Sequence, residues 1–248
     1  MTINPIHFAP ESIRQAFAAN GCLRASINAG NTILAQRSTD GPTGVSVDLA
    51  KAFAAELQSD IDYLVFNSAG QSVDAIREQR ADIGFFAIDP QRSQGIFFTP
   101  PYVLIEGSYL VRHDDPIVTA EEVDCAGINI VVGTGSAYDL FLSREISNAT
   151  LIRTATSQIV VDTMLSAGYQ ISAGVRQQLE LDAKRLGGLR ILPGSFMVIR
   201  QAMGCPLSKG HAAAAYLSSF IERMKASEFV QESMVRHCIK GASVAPPN

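Results

Sequence analysis

The chain has 248 residues, of which 47% are apolar and 18% charged, an ordinary globular composition with length for one large domain or two lobes. A net charge of −4 with no basic block argues against a nucleic-acid partner, and no apolar run approaches the roughly 20 residues a membrane-spanning helix needs. Cys22, Cys125, Cys205 and Cys238 lie far apart without CxxC or Cys/His spacing, so no metal site or cofactor is expected; buried thiols are the default reading, with a disulfide between distant cysteines left open.

Residues 10–20 read as a short helix with Ile13, Ala16 and Phe17 on one face and Asn20-Gly21 stopping it. Residues 23–28 read as a strand with Ala29-Gly30-Asn31 as its exit loop. Ser46 is placed as the cap of a helix on which Leu49, Phe53 and Leu57 recur at helical spacing. A strand over 61–66, a helix over 73–79 and a strand over 83–87 follow, and residues 108–112 form a crossing strand. A second series runs from a strand at 127–132 through a helix after Ser136, a strand at 150–153, a helix at 157–167 and a strand at 171–175. Residues 196–201 make a return crossing, and 208–225 form a long helix with Leu217, Phe220, Ile221 and Met224 toward the core. A helix over 229–238 and an extended tail from 244 close the chain. Strand–helix alternation of this kind implies an α/β architecture, a mostly parallel sheet with helices on both faces.

Two turns could carry chemistry. In 81–102, a buried strand meets Asp89-Pro90-Gln91-Arg92, where Asp89 suits an N-cap and Pro90 the first helical position. Arg92 then presents a planar fork fitted to a carboxylate, against the plainer reading of a surface arginine paired with an acid. Gly133-Thr134-Gly135-Ser136-Ala137-Tyr138-Asp139 turns from a strand into a helix with capping-box spacing at Ser136 and Asp139, and its free N–H groups favour an anion. It is neither a Walker loop nor a dinucleotide fingerprint, since no Gly-Lys-Ser/Thr follows and Tyr138 stands in the third glycine's place. His7, His113, His211 and His237 have no nucleophile companion.

Asp89-Pro90-Gln91-Arg92, Phe98-Thr99-Pro100-Pro101-Tyr102 and the upstream Gly41-Pro42-Thr43-Gly44-Val45-Ser46-Val47-Asp48-Leu49-Ala50 resemble motifs of the bacterial extracellular solute-binding proteins that serve polar amino acid transporters, over about residues 21–240. The resemblance implies a two-lobed type II periplasmic-binding-protein fold, each lobe a mostly parallel sheet flanked by helices, joined by two crossing strands. Lobe one would be 1–107 plus 203–248 and lobe two 108–202. The lobes would close on a ligand by hinge motion. It further implies that Arg92 grips a ligand carboxylate and that Gly135, Ser136 and Ala137 face it from lobe two, with Asn28 and Asn31 in a contacting loop.

The chain departs from that pattern in two ways. Phe85 and Ala87 stand where relatives often carry Ser or Thr, leaving an apolar wall and backbone groups. Arg176 falls where the family usually places the acid that pairs with the ligand ammonium, which predicts a cleft of more positive character and a more anionic ligand; the plainer reading makes Arg176 a surface-helix residue. Glu106 is the one acid near a crossing, placed to receive a ligand ammonium, against the plainer reading of a solvated or capping residue.

The expected function is capture of a small carboxylate-bearing ligand, an amino acid or a more anionic relative, by a protein that is not an enzyme. One alternative is a cyclohexadienyl-dehydratase-like lyase with Glu106 as general acid; another is a scaffold without a ligand. Met1 to Phe8 lacks a basic start, an apolar stretch and a cleavage site. That predicts a periplasmic protein delivering to an ABC permease if a signal has been removed, and otherwise a cytoplasmic sensor, buffer or regulator, with the uninterrupted sequence after Met1 favouring the second.

Overall fold

The computed structural model describes residues 7–248. The part of the Met1 to Phe8 reading on residues 1–6, and the start of lobe one at residue 1, therefore lie outside the described residues. The elements run α1 (Glu11–Ala18), β1 (Cys22–Asn28), a hairpin of β2 (Gln36–Ser38) and β3 (Gly41–Thr43), α2 (Val45–Leu57), β4 (Asp60–Phe66), α3 (Ala69–Arg77) and β5 (Ile83–Ala87). Next come β6 (Ile96–Arg112), β7 (Asn129–Gly133), α4 (Ala137–Glu145), β8 (Thr150–Thr154), α5 (Val160–Ser166), β9 (Ile171–Val175) and α6 (Arg176–Leu186). The chain ends with β10 (Leu189–Ile191), β11 (Met197–Pro206), α7 (Gly210–Ala226), α8 (Phe229–Arg236) and β12 (Ser243–Val244).

The main sheet has the order β4-β1-β5-β11-β6-β9-β7-β8, with β1 parallel to β4 and β5, and β7 parallel to β8 and β9. Its middle is the antiparallel pair of β6 and β11, which passes from one half to the other. At about 3.3 Å per residue the 17 residues of β6 span roughly 55 Å, enough to belong to both halves.

Side-chain alternation along these strands fills separate cores on the two faces. On β5, Phe85 points into the core built with α1, α2 and α7, and Phe86 into the one built with Val73 and Ile76 of α3. On β6, Tyr109 and Val111 join the α4 face while Leu110 joins Val160 and Leu179 of α5 and α6. Each half thus carries helices on both faces, the arrangement of a two-lobed type II periplasmic-binding-protein fold. Among the described residues no helix is long and apolar enough to cross a membrane.

Several boundaries differ from the sequence reading for local reasons. Gly44, not Ser46, caps α2: its φ of 123° suits glycine, and a Cβ there would collide with the Leu34 carbonyl. Ser46 lies inside the helix with its hydroxyl 3.3 Å from the Tyr102 hydroxyl. β6 starts at Ile96 and runs through Pro100-Pro101, where the register with β11 shifts around Ala202. α6 was anticipated only by the plainer reading that put Arg176 on a surface helix, β10 was not among the expected elements, and the tail is tied down as β12 against Val103 and Leu104 of β6. All four cysteines are free; Cys205 is buried, Cys22 half-buried, and Cys125 and Cys238 exposed, so burial is not their common state.

Candidate functional site

β5 ends at Ala87, and the chain turns at Asp89, whose Oδ1 accepts from the Gln91 N–H at 2.9 Å. The one-turn 3-10 helix that follows is Arg92–Gln94 with Gln91 at its cap, so Asp89 and Pro90 lie in the turn ahead of it rather than at the N-cap and first helical position expected, and the Arg92 guanidinium folds back under the strand end. Arg92 is 3% exposed. Its Nη1 donates to the Ala87 carbonyl at 3.0 Å, and its Nη2 reaches across to the Gly135 carbonyl of the other half at 2.8 Å. Burial draws its pKa down to about 10, opposed by the negative charge of Asp89, so Arg92 remains a cation at neutral pH. Asp89 itself is engaged by Arg144 of α4 at 2.9 Å, a second tie between the halves.

On the facing side, Ser136 caps α4, its hydroxyl accepting from the Asp139 N–H at 3.1 Å. Asp139 in return accepts from the Gly135 N–H at 2.8 Å and from Arg153 Nε at 2.9 Å. The Gly135 and Ser136 amides are therefore satisfied within the turn, the latter by the Gly133 carbonyl. Among the described residues the Ala137 N–H, first in α4, has no partner, as the first turn of a helix leaves it.

A cavity of about 60 Å³ lies between these two turns. Eight of the ten sequence-predicted residues are brought together there or border it. Asn28, Asn31, Phe85, Ala87, Arg92, Ser136 and Ala137 line it, and Gly135 borders it through its bond to Arg92. Asn28 Oδ1 accepts from the Gly30 N–H at 3.0 Å, whereas Asn31 Oδ1 is buried without a partner among the described residues. Phe85 stands edge-on to Tyr102, their centroids 6.2 Å apart, and contributes apolar wall rather than a polar contact.

Glu106 and Arg176 do not join the cavity. Gly107 of β6 registers with Val175 of β9, which brings the preceding Glu106 beside the following Arg176. Arg176 Nε donates to Glu106 Oε2 at 2.6 Å, and its Nη2 donates to the Gly194 carbonyl. The expectation of a second cleft cation is corrected accordingly, and with it the ground for a more anionic ligand. The pairing also takes Glu106 away from the position a general acid in the cleft would need.

The structure adds groups that the sequence reading did not name. Gln178 and Asp182, one turn apart on α6, line the cavity together with Gln201 of β11. Asp182 is 5% exposed; its Oδ2 accepts from Gln178 Nε2 at 3.1 Å and its Oδ1 from Arg185 Nη2 at 2.8 Å. Gln178 Oε1 accepts from the Thr32 hydroxyl at 2.7 Å, joining the halves again. The available signal was the Gln178/Asp182 pair on the same helical face as Leu179 and Leu186, in a stretch whose polar composition concealed the helix.

The sequence profile of the bacterial extracellular solute-binding proteins, family 3, matches residues 31–237. The chain belongs to that family. The amino-acid-binding protein AabA of Dichelobacter nodosus is 28% identical over 100 residues, which is 40% of this chain and 39% of that relative, so the chain matches well under half of its length. Among solved structures, a binding component of an ABC transporter from Wolinella succinogenes, complexed with lysine, superposes with a TM-score of 0.74 at 18% identity over 88% of this chain and 95% of that one. The L-cysteine solute receptor of Neisseria gonorrhoeae gives 0.78 at 17% identity over 93% and 94%. An ancestral amino acid-binding protein, a precursor of cyclohexadienyl dehydratase, gives 0.75 at 17% over 90% and 96%. At these identities the structural likenesses establish the fold. Family membership makes this solute-binding protein a small-molecule binder.

Proposed function

We propose that the protein captures a zwitterionic amino acid between its lobes, 1–107 with 203–248 on one side and 108–202 on the other, and closes over it by bending at β6 and β11. The observation that carries this reading is Arg92: a guanidinium 3% exposed, bonded to two carbonyls, with no carboxylate at ion-pair distance among the described residues. A buried cation without a counter-ion is costly, and a ligand carboxylate supplies that ion in bidentate geometry. The Ala137 N–H at the start of α4 adds a donor for the same carboxylate. Across the cavity, Asp182 supplies a carboxylate for an ammonium, which would compete with Arg185, now bonded to its Oδ1 at 2.8 Å. One cation and one carboxylate among uncharged polar and apolar lining side chains match a neutral amino acid better than a dianion. The names of the relatives, which bind amino acids, agree with this class.

The role we assign is delivery of that amino acid to an ABC permease from outside the cytoplasmic membrane, the setting the family's name describes. Titration calorimetry against a panel of neutral, cationic and anionic amino acids tests the site. A neutral amino acid binding to the native protein and lost in Arg92→Ala supports it; tightest binding of a dicarboxylate, or binding indifferent to Arg92, overturns it.

A further inference from the structure

Two glutamines line the cleft cavity, and they differ in what they hold. Gln178 is spoken for at both ends: its Oε1 accepts from the Thr32 hydroxyl and its Nε2 donates to Asp182. Gln201 of β11 is not. It is 6% exposed and lines the cavity. No group among the described residues bonds its side-chain amide, and neither amide atom is among those shut away from a water-sized contact. The amide is therefore free and open on a residue that is otherwise buried.

The sheet explains why nothing on its own strand face answers it. Gln201 registers with Ala87 of β5 on one side and Val103 of β6 on the other, both apolar. Ile199, two residues back on the same face, lines the cavity too, as does Phe85, which registers with Met203. A carboxamide set among these side chains has a donor and an acceptor to satisfy and only the cavity to find them in.

Charge limits what can meet it. Arg92 and Asp182 are the charged side chains that line the cavity, and the zwitterionic end of an amino acid occupies both. A third charge, on the ligand's side chain, would be buried without a counter-ion. A carboxylate would also answer only the Nε2 donor, and an ammonium only the Oε1 acceptor. A second carboxamide answers both at once, in a reciprocal pair of bonds. Size points the same way. At about 10–15 Å³ for each water held, a cavity of about 60 Å³ has room for roughly four to six waters, which favours a short side chain over an aromatic or a long one.

We propose that Gln201 selects the ligand by its side chain, and that the amino acid taken up carries a carboxamide, as asparagine and glutamine do. The proposal rests on the amino acid reading of the cleft and deepens it.

The test is titration calorimetry with two pairs of near-isosteres, L-asparagine against L-leucine and L-glutamine against L-methionine. In the native chain one amide should bind at least tenfold tighter than its apolar partner, because the apolar partner leaves Gln201 unanswered. Gln201→Met and Gln201→Leu should each cut that preference to within about threefold. Absence of amide binding to the native chain at millimolar concentration overturns the proposal, and so does equal binding within both pairs, the result expected if water alone answers the amide. A preference that survives both substitutions, with both members of a pair weakened alike, marks Gln201 as structural and overturns it too. The native-chain preference needs no variant, so the proposal stays open to refutation if the substitutions disturb β11. Arg92→Ala separates the two readings. Leucine or methionine binding best, and weakened in Arg92→Ala, sinks the carboxamide proposal and leaves the cleft reading standing. Amide binding indifferent to Arg92→Ala brings down the cleft reading and this proposal with it.

Discussion

Two strand-to-helix junctions in this molecule each place an arginine just past an apolar strand, and they end in opposite states. After β5, the Asp89 turn folds Arg92 under the strand end, where it is buried and holds only backbone carbonyls. After β9, α6 begins at once, and Arg176 emerges beside Glu106, which the β6–β9 register has set next to it. The residue type and the preceding pattern are alike; what differs is whether a neighbouring strand offers an acid at the same level. A guanidinium with an acid at hand closes an ion pair, and one without remains an electrostatic demand that a ligand can satisfy.

The sharpest way to break that contrast is Arg92→Ala. Removing one partner of a buried, hydrogen-bonded charge pair costs about 3 kcal/mol, so amino acid affinity should fall on the order of 100-fold. Calorimetry checks it, with circular dichroism confirming that the fold persists. Asp182→Asn comes next: binding of an amino acid should weaken about tenfold, while its α-keto analogue, which lacks the ammonium, should be affected far less. Equal losses for the two would remove Asp182 from ammonium binding.

Arg144→Ala addresses the ties between the lobes rather than the ligand contacts. It unpairs Asp89 from α4, leaving the Arg92–Gly135 and Thr32–Gln178 bonds in place. Affinity should drop about threefold to tenfold through a weaker closed state. Small-angle scattering with and without ligand should show a more expanded average for the variant.

The base of the first junction is held by Asp82, bonded to Arg24 and Lys209. Burial by itself pushes its carboxyl up, but donation from Arg24 and Lys209 together brings it below its ordinary value. A depressed folded-state pKa adds stability above the ordinary carboxylate range, and this is lost as pH falls through that range toward the lower folded value. Melting temperatures should therefore drop on acidification from pH 7 to below about 4, and Asp82→Asn should lower the neutral value and flatten the acid limb.

How much of this was legible in the sequence followed from how local each cause was. The Ile83–Ala87 strand, the Asp89 turn and the Ser136 cap are set by a few adjacent residues, and both sides of the cleft at Arg92 and Ala137 followed from them. The first half of β6 was hidden because Pro100-Pro101 argues against a strand, and only the register shift opposite Ala202 makes room for them. Ser46 looked like a cap because its side chain is a good one; Gly44 takes the position because the Leu34 carbonyl leaves no space for a Cβ, a contact made with a distant loop. Asp182 was hidden by Arg185, three residues on, which makes it resemble an ordinary surface pair.

The pairing of Arg176 with Glu106 leads to the smallest effect and the clearest separation. The two side chains are partly exposed, at 24% and 46%, so solvent screens their attraction and the pair contributes at most about 1 kcal/mol. Arg176→Ala should then leave amino acid affinity within about twofold of the native protein and shift the melting temperature by only a few degrees. Glu106→Gln should behave the same way, since each merely releases the other to water. If Arg176→Ala instead weakened anionic ligands selectively by tenfold or more, the guanidinium would have to swing from Glu106 into the cleft when ligand arrives. The contrast between the two junctions would then be one of conformation rather than of fixed register. Glu106→Gln on its own distinguishes a pure ion pair from such a swing, because only in the swing does it strengthen binding of the anion by freeing Arg176.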